Sequence, residues 1–247
     1  MSKEQKTYGL IGKNISYSFS EKYFSKKFKK DKIQNCRYKN FDLNNIKDLV
    51  NILKENNLKG LNITIPYKEQ VLSYLDEIEN NAKLIGAINT IKINNDNTLT
   101  GYNTDFIGFI ESLKPYLNSN CKKALILGTG GASKAIEYGL KKLNIKSEKV
   151  SRNKKNGDIT YQELNSNKIN ECQIIINTTP IGTFPDIENY PNIPYKYIRK
   201  DHICYDLIYN PNETEFLKKS KKNGAITVNG LRMLEIQAEE SWKIWNN

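Results

Sequence analysis

One segment constrains the fold of this chain more than any other. Residues 123–127 carry Ala124, Leu125, Ile126 and Leu127 in an apolar run of strand length; Gly128, Thr129, Gly130 and Gly131 follow at once, and Ala132, Ser133 and Ala135 open a stretch of helical period. Strand, glycine turn and helix in that order begin a parallel βαβ unit. Gly128 permits the tight turn, Gly130 lets backbone approach an anion, and the helix N-terminus aims its amides at the same point. Ser133 stands where the common pattern has a third glycine, a position that needs a small residue for close helix–strand packing. A glycine turn can also bind nothing; the flanking strand and helix and the strands that follow are what make this one a dinucleotide site.

The pattern around it sorts into two parts. Downstream, a weak strand ends at Val150, and short apolar runs at 173–177, 203–207 and 225–228 suit strands buried on both faces. Strands alternating with helices predict a doubly wound parallel sheet. Upstream, a strand at 7–11 is closed by Gly12, and a helix from about 21 to 28 places Phe24 and Phe28 on one face. An alternating strand at 36–41 follows, then helical spacing of Leu43, Ile46, Leu49, Val50 and Leu53, a strand at 61–65 stopped by Pro66, and a hairpin at 87–102. This first part reads as a mixed-sheet α/β domain. Phe106, Phe109, Ile110 and Leu113 mark a helix leading out of it, and Leu231, Leu234, Ala238, Trp242 and Trp245 mark a last helix with one buried face.

Composition removes several classes of function. The cysteines Cys36, Cys121, Cys172 and Cys204 have no CxxC spacing and no histidine cluster, so neither a disulfide framework nor a metal site is expected. The N-terminal residues have no apolar core of a signal peptide, and no apolar stretch approaches the ~20 residues that span a bilayer. A cytoplasmic protein with no membrane partner is expected. The net charge is +11, but the lysines are scattered, with short runs at 26–30 and 218–222 on amphipathic stretches. Solvated helix faces explain them better than a nucleic-acid partner does, and a basic surface also attracts an anionic cofactor and an acid substrate.

About 20 residues after the glycine turn, the end of the second strand selects the dinucleotide. An acid there would bind ribose hydroxyls and repel a 2′-phosphate. This chain has Ser151, Arg152, Asn153, Lys154 and Lys155. Arg152 can stack on adenine and, with Lys154 or Lys155, pair with a 2′-phosphate, so NADP is expected over NAD; a basic surface loop is the plainer alternative. A dehydrogenase that used the dinucleotide on an alcohol would need a proton donor and acceptor as well. The one histidine, His202, begins a strand, away from the carboxyl ends where ligands bind in such sheets, and is expected at the surface.

Other segments supply the acid–base group, and together they resemble the shikimate dehydrogenase family. The stretch from Gly12 to Ser20, with Ser16, Ser18 and Ser20, looks like that family's serine-rich turn for the substrate carboxylate; Asn62 to Lys68 resembles its lysine segment; Gly86 to Thr90 and Gly101 to Phe106 resemble the segments carrying an asparagine and the catalytic aspartate. The likeness continues in order through the Gly128 turn, Asn177 to Gly182, Asp206 to Pro211 and Asn229 to Ala238. Asn14, Tyr17 and Glu21 depart from the Pro, His and Pro common there, and Ser151 and Asn153 replace the usual Asn and Thr beside the arginine.

The resemblance implies an oxidoreductase that reduces 3-dehydroshikimate to shikimate with NADPH, on the route to chorismate and the aromatic amino acids. It implies an α/β fold of two domains: a substrate domain over 1–104, onto which the last helix at 231–247 packs back, and a Rossmann-type NADP domain over 105–230, with the active site in the cleft between. Lys68 and Asp105 are the implied catalytic pair. Ser18, Ser20, Thr64, Asn89, Asp105, Tyr209 and Gln237 are the implied substrate contacts. Gly128, Thr129, Gly130, Gly131, Ala132, Ser151, Arg152, Asn153, Lys154, Leu207, Gly230 and Met233 are the implied cofactor contacts. Ser18 and Ser20, at i and i+2, can turn both hydroxyls to one carboxylate, although Ser20 by itself reads as a helix N-cap. A monomer or homodimer is expected. The rival readings are an NAD-dependent quinate/shikimate dehydrogenase, a non-catalytic NADP-sensing regulator on the same fold, and a methylene-folate dehydrogenase, whose substrate the serine turn fits poorly.

Overall fold

The computed structural model describes residues 4–16, 18–55 and 57–247. The chain forms two compact units, Met1–Thr104 with Ala238–Asn247, and Asp105–Gln237.

In the first unit the elements are β1 Lys6–Gly12, α1 Phe19–Lys30, β2 Cys36–Asp42, α2 Leu49–Ile52, β3 Leu58–Ile63, β4 Glu77–Ile78, α3 Asn80–Ile85, β5 Thr90–Ile93 and β6 Leu99–Tyr102. They make one sheet in the order β2-β1-β3-β5-β6-β4. β2, β1 and β3 run parallel, and β5 turns antiparallel to β3 and to β6. One face packs Ile11, Leu61, Ile63 and Ile91 against Leu49 and Val71. The other packs Tyr8, Leu10 and Tyr38 against Phe24 and Phe28 of α1 and Trp245 of the C-terminal helix. The helical spacing over 43–53 yields only a 3-10 turn at Ile46–Asp48 and the single turn of α2. Ile46 and Leu49 are buried while Val50 is half exposed, so two anchors suffice and the chain leaves for β3.

The second unit continues with α4 Asp105–Leu113, β7 Lys123–Leu127, α5 Gly131–Lys142, β8 Lys146–Ser151, β9 Ile159–Thr160, α6 Ser166–Glu171, β10 Ile174–Asn177, β11 Ile203–Asp206, α7 Glu215–Lys222, β12 Ile226–Val228 and α8 Leu231–Asn246. Its sheet is parallel throughout, in the order β12-β11-β10-β7-β8-β9. The first strand, β7, is central and the order reverses beside it, which is the doubly wound dinucleotide-binding topology. Both faces are covered. Ile126, Ile176 and Tyr205 pack with Phe109, Ile136 and Leu140 on one side; Leu125, Leu127, Ile175 and Cys204 pack with Phe216 and Leu217 on the other. Burial on two faces is why these strands read as unbroken apolar runs.

The stretch 231–247 is not the property of one unit. The division falls inside α8, between Gln237 and Ala238. Met233 joins the core with Phe109 and Tyr205, and Ala238 and Trp245 join the core with Tyr8 and Phe24. His202 departs from the sequence expectation: it is buried, not superficial. Its Nδ1 accepts the Arg199 backbone N–H at 2.9 Å and its Nε2 lies 3.1 Å from the Ile169 carbonyl. That pattern fits an imidazole with its one proton on Nε2, tying the end of α6 to the start of β11. Among the described residues no helix is long and apolar enough to cross a membrane.

Trp245 fixes the end of α8 on the first sheet. Its Nε1 donates to the Ile91 carbonyl at 2.9 Å, and its ring lies so close over Gly60 that a Cβ there would stand 2.2 Å from the indole nitrogen. Gly60→Ala should therefore destabilise the protein by about 1–3 kcal/mol, the usual cost of overpacking a filled core. A lowered urea midpoint checks this; an unchanged midpoint would mean that the indole can move aside.

Candidate functional site

In the first unit the candidate residues gather where β1 and β3 end. The Thr64 N–H donates to the Ile11 carbonyl at 2.8 Å, and the Lys13 N–H to that of Ile65 at 3.2 Å, so the two exit loops are stitched together. Lys68 follows on a pinned turn. Its neighbour Tyr67 is buried, with its hydroxyl on the Leu43 carbonyl at 2.6 Å, and the Lys68 carbonyl itself accepts the Ile88 N–H at 2.8 Å. The Lys68 side chain is half-buried on a backbone that cannot drift.

The serine turn is shaped by a residue that sequence reasoning missed. Asp42, at the end of β2, accepts the Asn14 N–H at 2.8 Å and the Ile15 N–H at 3.0 Å. Asn14 has φ 56°, a left-handed conformation that asparagine tolerates and proline cannot reach, so this departure from the family pattern has a conformational reason. Tyr17 lies outside the described residues. Glu21, in the first turn of α1, accepts from the Asn40 amide at 2.8 Å. The helix cap is Ser18 and not Ser20: the Ser18 Oγ accepts the Ser20 N–H at 3.2 Å. A hydroxyl that accepts there still has its own proton to donate. Burial pushes the Tyr38 phenol well above its ordinary pKa, with the Ser20 hydroxyl acting the other way.

Tyr38 leads into a buried polar network. Its hydroxyl donates to Asn62 Oδ1 at 2.8 Å, and Asn62 Nδ2 donates to Ser241 Oγ at 2.9 Å and Thr90 Oγ1 at 3.2 Å. Asn89, beside it, accepts the Thr104 N–H on its Oδ1 at 2.7 Å, and its Nδ2 donates to the Thr104 hydroxyl at 2.9 Å. Asn89 thus fixes the backbone immediately before Asp105, the buried first residue of α4. One turn on, a Cβ at Gly108 would meet the Met233 carbonyl at 2.6 Å and Gln237 Cβ at 3.2 Å. α4 therefore lies directly against α8, and Asp105 and Gln237 are carried by helices in contact. Gln237 Nε2 donates to the Leu234 carbonyl at 2.9 Å. Asn62 and Ser241 were not singled out from sequence; the available signal was an amide inside an otherwise apolar strand.

In the second unit the glycine turn sits at the carboxyl end of β7, beside β10, where the strand order reverses. Gly128 has φ 112°, and a Cβ on it would lie 2.8 Å from Thr178 Oγ1, so both conformation and space demand glycine. Gly130 precedes α5 without a side-chain cap, and a Cβ there would meet nothing within 4 Å. The N-terminus of this twelve-residue helix is thus uncapped by a side chain and has open space beside Gly130, which fits a pyrophosphate. Thr129, Gly131 and Ala132 are partly exposed around it. Ser133 is buried, and its hydroxyl donates to the Gly130 carbonyl at 2.6 Å, which explains how serine replaces the third glycine.

Beyond β8, Arg152, Asn153 and Lys154 are exposed, and the Ser151 hydroxyl donates to the Asn153 carbonyl. Lys154 is paired with Glu163 at 2.9 Å. Lys154 and the Thr160 N–H hold the Glu163 carboxyl down to about 2. One of the two lysines expected beside Arg152 therefore already has an acid partner, while Lys155 is exposed. Leu207 and Tyr209 follow β11 and are half-buried. A Cβ at Gly230 would lie 2.0 Å from the Leu207 carbonyl, so this glycine lets the exits of β11 and β12 touch. Met233 is buried in the core of the unit.

Residues 10–91 match the family described as the shikimate dehydrogenase substrate binding domain. A shikimate dehydrogenase (NADP(+)) from Clostridium botulinum is 43% identical over 251 residues, covering 97% of this chain and 96% of that one. The chain belongs to the shikimate dehydrogenase family. Among solved structures of shikimate dehydrogenases, that from Aquifex aeolicus superposes with a TM-score of 0.88 at 36% identity, covering 100% of this chain and 94% of that one. The Thermus thermophilus structure, solved in complex with NADP(H) and shikimate, superposes with a TM-score of 0.87 at 27% identity, covering 98% of this chain and 93% of that one.

The two serines of this shikimate dehydrogenase turn should separate experimentally. Ser18→Ala removes a helix cap, worth about 1 kcal/mol, as well as a hydroxyl at the turn. It should lower both the melting temperature and shikimate affinity. Ser20→Ala should weaken shikimate binding while moving the melting temperature less. Calorimetric binding and thermal melts of both variants check this; equal melting losses with unchanged binding would leave the turn a capping device only.

Proposed function

We propose that this protein catalyses the reversible reduction of 3-dehydroshikimate to shikimate with NADPH, the oxidoreductase step toward chorismate and the aromatic amino acids, in the cytoplasm. One observation carries the reading: a chain of this family holds, at the switch point of its parallel sheet, a helix N-terminus that no side chain caps and beside which Gly130 leaves open space. NADPH, when bound, supplies the hydride. The glycine turn and the first turn of α5 hold its pyrophosphate, Arg152 its 2′-phosphate, and Leu207, Gly230 and Met233 are further cofactor contacts.

The rest is the work of side chains on the substrate. Ser18 and Ser20 donate to its carboxylate; Thr64, Asn89, Gln237 and Tyr209 meet its ring hydroxyls and oxygen. Hydride arrival builds negative charge on the ketone oxygen. A cationic donor gains most there because its attraction grows as the transition state forms. Lys68 is that donor, and Asp105 is the second proton-exchange group. The placement of Lys68 on an anchored turn supports the role, since a general acid works only when held in position.

Lys68→Ala should reduce turnover by about 10²–10⁴-fold, the usual loss with a general acid. NADPH binding, followed by its fluorescence, should stay unchanged. Turnover within about threefold of the parent would remove Lys68 from the chemistry. Arg152→Ala should raise KM for NADP and leave KM for NAD nearly as it was, because a charge-assisted contact to phosphate, worth about 1.5–3 kcal/mol, is lost with only one of them. Equal losses with both cofactors would instead assign Arg152 to stacking on adenine.

A further inference from the structure

Asp206 ends β11 opposite Asn177, which ends β10, and both side chains are fully buried. The Asp206 carboxylate accepts three hydrogen bonds: from Asn177 Nδ2 at 3.0 Å, from the Ile208 N–H at 3.0 Å and from the Thr214 hydroxyl at 2.6 Å. Each partner shapes a different segment. Asn177 Oδ1 accepts the Thr179 N–H at 3.1 Å and its hydroxyl at 2.6 Å, turning the chain after β10. In that turn Thr178 donates to the Leu127 carbonyl at 2.7 Å and abuts Gly128. Ile208 lies between Leu207 and Tyr209, and Thr214 caps α7 by accepting the Leu217 N–H at 3.3 Å. One carboxylate therefore joins the loop beside the glycine turn to the next loop along the same sheet edge.

We propose that Asp206 is a positioning residue for the cofactor end of this unit: by binding Asn177, the Ile208 N–H and Thr214 at once, its carboxylate holds segments 178–182 and 207–214 in the form that receives NADP(H). The proposal rests on the cofactor reading above. All three partners are donors, so an acceptor-only group is required. An amide at 206 would turn its NH2 toward Thr214, and the Thr214 hydroxyl proton would lose its acceptor.

Retaining this charge weakens the fold. Burial pushes the Asp206 carboxyl up to about 7, and its three hydrogen bonds offset only part of that rise. A raised carboxyl binds its proton more tightly folded than unfolded. Its contribution to stability is therefore present at acid pH, falls as pH rises from the usual carboxylate range to about 7, and is gone above that. The titratable groups around it are Cys204, Tyr205 and Tyr195, all pushed up by burial and neutral across this window; β10 and α7 present Asn177 and Thr214, which do not titrate.

The test is Asp206→Asn in the full chain, read by NADPH fluorescence titration and by thermal melts of the unliganded protein from pH 5 to 8. The expected result is NADPH affinity about tenfold weaker, from a lost hydrogen bond to a charged group, with a melting temperature at pH 8 equal to or above the parent's and without the parent's decline between pH 5 and 7. Thr214→Val should also weaken NADPH binding and Thr214→Ser should retain it. Unchanged NADPH affinity in Asp206→Asn overturns the proposal, as does an affinity loss matched by a lower melting temperature at pH 8. A parent that fails to bind NADPH overturns the cofactor reading, and this proposal with it.

Discussion

Parallel pairing of neighbouring strands is the constraint on which the rest of the structure depends. Parallel strands deliver their exit loops to one edge of a sheet, and both units use that edge. In the first, β1 and β3 release the serine turn and the Lys68 turn side by side, and hydrogen bonds from Thr64 to Ile11 and from Lys13 to Ile65 lock the pair. In the second, β7, β10 and β11 release the glycine turn, the Thr178 turn and the Leu207 loop at the same edge. No single loop carries all the candidate residues; register between strands brings their loops together.

Holding those loops requires polar groups in the interior, and every one of them needs a partner. The first unit solves this with Tyr38, Asn62, Thr90, Ser241, Asn89 and Thr104, all buried and mutually bonded. The second solves it with Asn177, Asp206 and Thr214. Removing one member of such a cluster leaves its neighbours unsatisfied, at about 1–3 kcal/mol each, so the clusters make their geometry difficult to change. In each unit the cluster lies directly behind a candidate ligand-binding segment.

Much of the second unit was legible in the sequence because its signals are local. A glycine turn needs glycine for conformation at Gly128 and for space at Gly130, and doubly covered strands must be apolar at successive positions. The two-residue strands β4 and β9 gave no such signal, since two residues establish no period. Helical spacing over 43–53 misled because burial at Ile46 and Leu49 does not require a helix longer than a turn. His202 was misplaced because a surface and a buried neutral imidazole look alike in sequence; only partners from Arg199 and Ile169 distinguish them.

The sequence by itself determined the fold class of each half, the glycine turn, the absence of an acid among residues 151–155 and the set of candidate side chains, because each follows from residues near one another in the chain. The tertiary structure decided the sharing of α8 between two cores, the choice of Ser18 over Ser20 as the cap, the ion pair that occupies Lys154, and the burial of Asp206 among three donors. These depend on contacts between residues distant in sequence or on the path of the backbone. A side chain's partners and its exposure to water, which set both its charge and its task, exist only once the chain has folded.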